Sequence, residues 1–319
     1  MKALRLHAIG EVPHIEDVEV PDPGPGDVQI EVRACGLNFA DLLMIQGRYQ
    51  EKPALPATLG MEVAGVVAKV GRDVIGLSPG MRVAAVPGSG GLAEVCLAPA
   101  TRCVLLPEQM SFTDAAAFQI AYGTSHVALD DRARMRPGET LVVLGAAGGV
   151  GLTAVEIGRR MGARVIAVAR GADKLAVADA AGAEITIDSE DGGLEDRLKA
   201  LGGVDVVYDA VGDPMATAAL RALRPGGRFL VIGFAAGEVP VFKANYLLVK
   251  NITVHGLYWG GYLTFDPGVL TGSLTRLFGW YADGGLRPHV SHVLPLDRAL
   301  EGLELLKSRA STGKVVITP

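Results

Sequence analysis

The run Ala146-Ala147-Gly148-Gly149-Val150-Gly151 follows the apolar stretch TLVVLG directly and opens a segment with helical spacing. Glycines arranged as A-x-G-x-x-G let a backbone come close to a pyrophosphate, and the free N–H groups at a helix start receive its negative charge. A tight turn would use the same residue types, but the strand before the run and the helix after it select a dinucleotide site. Ala146 stands where the fingerprint usually has its first glycine. At the end of the next apolar strand, where an acid would bind a ribose 2′-hydroxyl, the chain has Val168-Ala169-Arg170. A guanidinium without a carboxylate suits a 2′-phosphate, and Lys174 one helical turn later adds a second positive charge. NADPH is the cofactor this predicts; the alternative is that Arg170 and Lys174 are solvated surface residues. Ligands lie outside the carboxyl ends of parallel strands, so the loops after VVYDAVG and FLVIGF should border the same cofactor. Val211, Gly212, Gly233 and Phe234 are the candidates there, each with the alternative of a turn residue that touches no ligand.

These residues need a sheet to hold them. From about residue 120 onward apolar strands alternate with helical stretches: TLVVLG, RVIAVA, ITI, VDVVYDAVG, GRFLVIG and NITVHGLYW. Strands apolar on both faces belong to a parallel, doubly wound sheet with helices on either side, an α/β architecture. Before residue 120 the texture differs, with short β-branched runs such as VQIEVRA, EVAGVVAKVG and RVAAV broken by PDPGPGD, GLSPG and VPGSGG. That is an all-β segment with tight turns. Residues 262–319 hold two helical stretches and a closing strand, KVVIT, too few strands to fold alone. They are expected to complete the first domain, giving domains of 1–120 with 262–319, and 121–261.

A chain of 319 residues with 49% hydrophobic and 20% charged residues is of globular type and long enough for two domains. Its formal charge of −5 gives no reason to seek phosphate backbones or anionic lipid, which argues against nucleic-acid and membrane partners. Three cysteines, Cys35, Cys96 and Cys103, lack C-x-x-C spacing, as suits a reducing compartment. Charges scattered through MKALRLHAIGEVPHIEDVEV leave no signal-peptide core, so a cytoplasmic location is expected. His289 and His292 form an H-x-x-H, but in an extended segment positions three apart face opposite sides, which speaks against a shared metal.

The first domain carries PGPGDVQIEVRACGLNFADL, RYQEKPALPATLGMEVAGVVAKVG, LSPGMRV and GGLAEV, and the second continues through GAAGGVG to GKVVIT. Together these patterns resemble the medium-chain dehydrogenase/reductase superfamily over essentially the whole chain, and most of all its zeta-crystallin-like quinone oxidoreductase branch. The resemblance implies a GroES-like β-barrel catalytic domain beside a Rossmann domain with a doubly wound parallel sheet. Zinc enzymes of the superfamily hold their catalytic metal with a cysteine where this chain has Asn38 and a histidine where it has Met61. With both ligands replaced, and too few cysteines for the structural zinc, no zinc of either kind is expected.

Asn38, Asp41 and Tyr49 are what the quinone oxidoreductase branch typically shows in this region. Without a metal, hydrogen-bond donors must polarise the substrate oxygen, and the Asn38 amide and Tyr49 phenol are the available types. Tyr49 could instead anchor its loop, and Asp41 could simply brace it. Thr124 stands where relatives approach the nicotinamide, or bonds its own helix backbone. Many NADPH-specific relatives carry a tyrosine where this chain has Ser189, so NADH is expected as a weaker substitute. The predicted reaction is hydride transfer from NADPH, in a cleft between the domains, to a quinone or similar conjugated carbonyl. An enoyl-CoA or enone reductase shares the fold, cofactor and missing zinc; a non-catalytic NADPH-binding sensor or structural protein is the rival of another class. A homodimer formed through the edge strand NITVHGLYW is expected, with a tetramer as the larger alternative.

Overall fold

The strand Thr140–Leu144 is buried at every position and Arg164–Ala169 at all but its first, which happens only when helices cover both faces of a sheet. The structure, a computed structural model, describes residues 1–319. The chain divides into two compact units, residues 1–120 with 288–319, and residues 121–287.

The second unit is built on a six-stranded sheet ordered Ile185–Asp188, Arg164–Ala169, Thr140–Leu144, Val204–Asp209, Leu223–Val231 and Thr253–Gly256. Every neighbouring pair is parallel. The strand order reverses between Thr140–Leu144 and Val204–Asp209, which is where doubly wound sheets bind nucleotides. Residues 262–287, expected with the first domain, belong here instead. The helix Pro267–Ala282 buries Leu270, Ser273, Leu274 and Leu277. Ser273 Oγ lies 3.0 Å from His126 Nδ1, the Tyr262 phenol donates to Asp131 at 2.9 Å, and Arg160 pairs with Asp283 at 2.6 Å. Its apolar stripe was visible in the sequence; the polar partners that choose its location were not.

In the first unit the long strand Asp27–Gly36 is the centre of a seven-stranded sheet. Glu62–Val70 pairs with it antiparallel along one edge, and Val95–Pro99 and Lys314–Thr318 pair with other parts of it. Lys314–Thr318 arrives from the far end of the sequence, placing Val316 opposite Gly36 and Ile317 opposite Cys35. Ile30, Leu59, Val63, Val83, Leu92 and Val315 are among the fully buried residues of its core. A separate three-stranded sheet joins His14–Asp17, Lys2–Leu6 and Ala57–Thr58.

Candidate active site

The glycine run lies at the carboxyl end of Thr140–Leu144. Gly145, with φ of +73°, turns the chain, and its N–H and that of Ala146 both donate to the Val168 carbonyl at 3.0 Å. Ala146 and Ala147 are buried, Gly148 is the N-cap, and the helix runs Gly149–Arg160 with no acidic residue in its first turn. A Cβ on Gly151 would sit 2.1 Å from the Gly145 carbonyl oxygen, so only glycine lets helix and strand approach this closely. A Cβ on Gly148 would meet nothing nearer than that same oxygen, at 3.4 Å. The loop is therefore open on one side, beside first-turn N–H groups that no helix carbonyl reaches. Residues 146–151 fit a dinucleotide diphosphate.

A buried polar network lies under this loop. Ser125 Oγ donates to the Val150 carbonyl at 2.9 Å and lies 2.8 Å from Thr153 Oγ1 and 2.9 Å from the Tyr208 hydroxyl. Thr153 Oγ1, with one proton to give, also lies within reach of the carbonyls of Ala121 and Val150, at 3.1 and 3.0 Å. Burial pushes the Tyr208 phenol well up, so it remains a neutral hydrogen-bonding group. The network ties the glycine loop to the helix Gln119–His126 and to the strand Val204–Asp209. Sequence reasoning chose the buried neighbour Thr124 and passed over Ser125, Thr153 and Tyr208.

Asp209, at the end of its strand, organises the next two loops. Its Oδ1 accepts from the N–H groups of Val211 and Gly212 at 2.8 and 2.9 Å, and its main-chain oxygen from those of Ile232 and Gly233. Burial raises its carboxyl, while the two N–H donors pull it back. Gly212, at φ +92°, has room for no side chain, since a Cβ would lie 2.3 Å from the Glu238 carbonyl oxygen. Phe234 projects from the second loop, 37% exposed. At the far side of the glycine loop Arg170 is exposed, its Nε 4.0 Å from Glu190 Oε1, while Lys174 is half-buried on the helix Ala172–Ala180. Asp188 accepts from the Gly171 N–H at 3.1 Å, so two carboxylates share the neighbourhood of Arg170.

In the first unit Asn38 caps the helix Phe39–Ile45, its backbone N–H donating to Asp41 Oδ2 at 2.8 Å. Its amide is fully engaged. Nδ2 donates to the Gly36 carbonyl at 3.2 Å and to Glu62 Oε1 at 3.0 Å, and Oδ1 accepts from Lys314 Nζ at 2.8 Å. Lysine only donates and carboxylate only accepts, so the amide orientation is fixed. Lys314 Nζ also bonds Glu62 Oε1 at 2.5 Å, and Glu62 Oε2 takes the Ile120 N–H at 3.0 Å. Both charged side chains are almost wholly out of water, at 6% and 1% exposure. A buried pair of this kind persists because every polar atom has a partner.

The geometry corrects two assignments. Both Asn38 amide protons are spent inside the protein, so Asn38 is the hub of a positioning network rather than a ready donor to substrate. Asp41 is completely buried and braces the loop; it is not placed to touch a ligand. Burial raises its carboxyl to about 6, offset in part by the Asn38 N–H and the Lys314 charge. Tyr49 follows the helix on a bend, half-buried against the core of this unit. Met61 is buried. Glu62 and Lys314 were missed, although each shows as a lone charge in an apolar run, LGMEVAG and GKVVIT.

The remaining candidates separate. His289 bonds Thr312 and His292 bonds Ser291, with no partner in common. Cys35 and Cys96 are buried and all three cysteines are free thiols. Burial pushes Cys35 well up and Cys96 to about 12, so neither supplies a thiolate at neutral pH.

Comparison with known proteins agrees with this geometry. The profile of the alcohol dehydrogenase GroES-like domain matches residues 24–108, and that of zinc-binding dehydrogenases matches residues 149–271. A quinone oxidoreductase-like protein 2 homolog from Nematostella vectensis is 39% identical over 99% of this chain and 88% of its own length. Its bovine counterpart is 38% identical over 95% and 88%. The solved quinone oxidoreductase of Thermus thermophilus, also studied as its NADPH complex, is 36% identical, with a TM-score of 0.89 over 100% of both chains. That of Escherichia coli, complexed with NADPH, is 31% identical, with a TM-score of 0.92 over 100% of this chain and 99% of its own. The first unit is a GroES-like domain, the second a Rossmann-type nucleotide fold, and the chain belongs to the quinone oxidoreductase-like family of the medium-chain dehydrogenase/reductase superfamily.

Proposed function

We propose that this oxidoreductase is an NADPH-dependent, zinc-independent reductase that passes hydride to a quinone or similar conjugated carbonyl. The observation that carries the reading is the Asn38–Lys314–Glu62 network. Where zinc relatives need a thiolate and an imidazole, this chain has an amide locked to a buried ion pair and a buried thioether, Met61, a donor set that suits no zinc ion. Bound NADPH supplies the hydride. The chain's part is to hold the diphosphate on residues 146–151, to set the surrounding loops through Asp209, and to keep the floor of the site rigid through Ser125, Thr153 and Tyr208. The phenol of Tyr49 is the donor we assign to the acceptor oxygen, where negative charge develops. Arg170 receives the 2′-phosphate; because Glu190 already faces it, NADH is accepted as a weaker substitute.

We further propose a homodimer joined at Thr253–Gly256, which has a partner strand on one side only. Val239, Val241, Leu248 and Val249 of the same unit are 63–81% exposed, a surface that pairing would cover. No helix is long and apolar enough to cross a membrane. Three free cysteines support a reducing, cytoplasmic setting.

The test is loss of NADPH absorbance with benzoquinone, phenanthrenequinone or crotonyl-CoA, in metal-free protein with chelator present, each repeated with NADH. Quinone turnover undiminished by chelator is expected. Turnover with crotonyl-CoA alone would assign an enoyl reductase, and NADPH binding without any turnover would refute the enzymatic reading.

A further inference from the structure

A second group of chemically capable side chains lies in the first unit on the hairpin of Lys2–Leu6 and His14–Asp17. Arg5 pairs with His14 and Ala3 with Glu16 across the two strands. Strand alternation then sends Arg5, His7, His14 and Glu16 to one face, while Leu4 and Leu6 point into the core. The two imidazoles converge on a single oxygen: His7 Nε2 is 3.1 Å and His14 Nε2 3.5 Å from Glu16 Oε2. Their rings are parallel within 5°, with centroids 4.9 Å apart. All three ligand-type atoms lie within 4.8 Å of one another.

A four-coordinate zinc ion with bonds near 2.0–2.1 Å holds its donor atoms about 3.3 Å apart. Two of the three separations already bracket that value, and the third, at most 4.8 Å, closes by rotation of two exposed imidazole rings that stack on each other. The other carboxylate oxygen is taken: Arg5 Nε holds Glu16 Oε1 at 3.2 Å and is itself braced by Thr58 at 3.0 Å. An outer partner of this sort aims the remaining oxygen and fixes the ligand's rotamer. Solvent on the open side supplies the remaining ligands as water. Two neutral imidazoles and one carboxylate suit zinc, copper(II) or nickel(II) better than calcium or magnesium.

We propose that His7, His14 and Glu16 form a surface binding site for a late first-row divalent metal ion. It shares no residue with Asn38, Met61 or the glycine loop, and stands whether or not the quinone reaction does. Metal-free wild-type protein titrated calorimetrically with zinc sulfate should take up one ion per chain with micromolar affinity. His7→Gln and His14→Gln should each weaken uptake at least about tenfold, as loss of a ligand does, while His292→Gln leaves it unchanged. Zinc should raise the unfolding temperature of the wild type and not that of the double variant H7Q/H14Q. Imidazole nitrogen resonances of His7 and His14 in the unmodified protein should shift on zinc addition, which frees the test from the folding of any variant. Uptake that H7Q/H14Q leaves intact, or zinc addition that moves neither pair of resonances, overturns the proposal.

Discussion

Replacing Lys314 by methionine isolates the energetics of the buried network. The change removes the cation from Glu62 Oε1 and from Asn38 Oδ1 while keeping an apolar stem of similar length. Glu62 is then a carboxylate with 1% of its side chain in water and only two neutral donors, the Asn38 amide and the Ile120 N–H. Stranding a buried charge in this way costs about 3–5 kcal/mol. Adding Glu62→Gln removes that charge, and the new amide oxygen can still accept from the Ile120 N–H or from the Asn38 amide. The double variant K314M/E62Q should therefore recover about 2 kcal/mol relative to the sum of the single changes. Both tryptophans, Trp259 and Trp280, lie in the second unit, so their fluorescence is no local reporter of the network. Urea unfolding by circular dichroism, with hydrogen exchange at the Ile120 amide as the local reporter, measures it. A K314M variant within about 1 kcal/mol of wild type, or single changes that simply add, would refute the idea that each of these charges depends on the other.

Asp41 gives a pH-dependent counterpart. Its folded carboxyl, raised from 3.8 to about 6, binds more protons than the unfolded chain between those values, so its contribution is present at low pH and lost as pH rises through about 6. The wild type should lose about 2.4 kcal/mol relative to Asp41→Asn between about pH 4 and pH 7; parallel unfolding curves for the two proteins would contradict this. Gly151→Ala, forced against the Gly145 carbonyl oxygen, should destabilise the second unit by about 1–3 kcal/mol. Gly148→Val should leave thermal stability nearly unchanged while abolishing NADPH binding by fluorescence titration. Arg170→Ala should raise the KM for NADPH about tenfold and leave that for NADH alone, whereas Glu190→Gln should improve NADPH use; equal effects on both cofactors would remove Arg170 from the phosphate site.

The nucleotide half of the molecule was legible because its signals are local. Gly148 and Gly151 follow a buried strand and open a helix within a few residues, so spacing alone carries the geometry. The catalytic half was less so. Asn38 was identified, but its chemistry depends on Lys314, separated from it by 276 positions, and nothing within a window around Asn38 announces that partner. The same limit misplaced residues 262–287, whose contacts with His126 and Asp131 are likewise remote in sequence. His7, His14 and Glu16 escaped notice for a different reason: their convergence depends on the register of a hairpin whose turn has no strong signature.

The first unit is interrupted in sequence by the whole of the second, and its strand Lys314–Thr318 is threaded beside Asp27–Gly36. During synthesis the nucleotide unit, residues 121–287, has all of its strands before that strand exists. Until Lys314 emerges, Glu62 has no counter-ion and Asp27–Gly36 lacks one of its neighbours. The nascent first unit therefore carries an unfilled edge on Asp27–Gly36 and an unpaired acid, and the network around Asn38 cannot close until the end of the chain has been made.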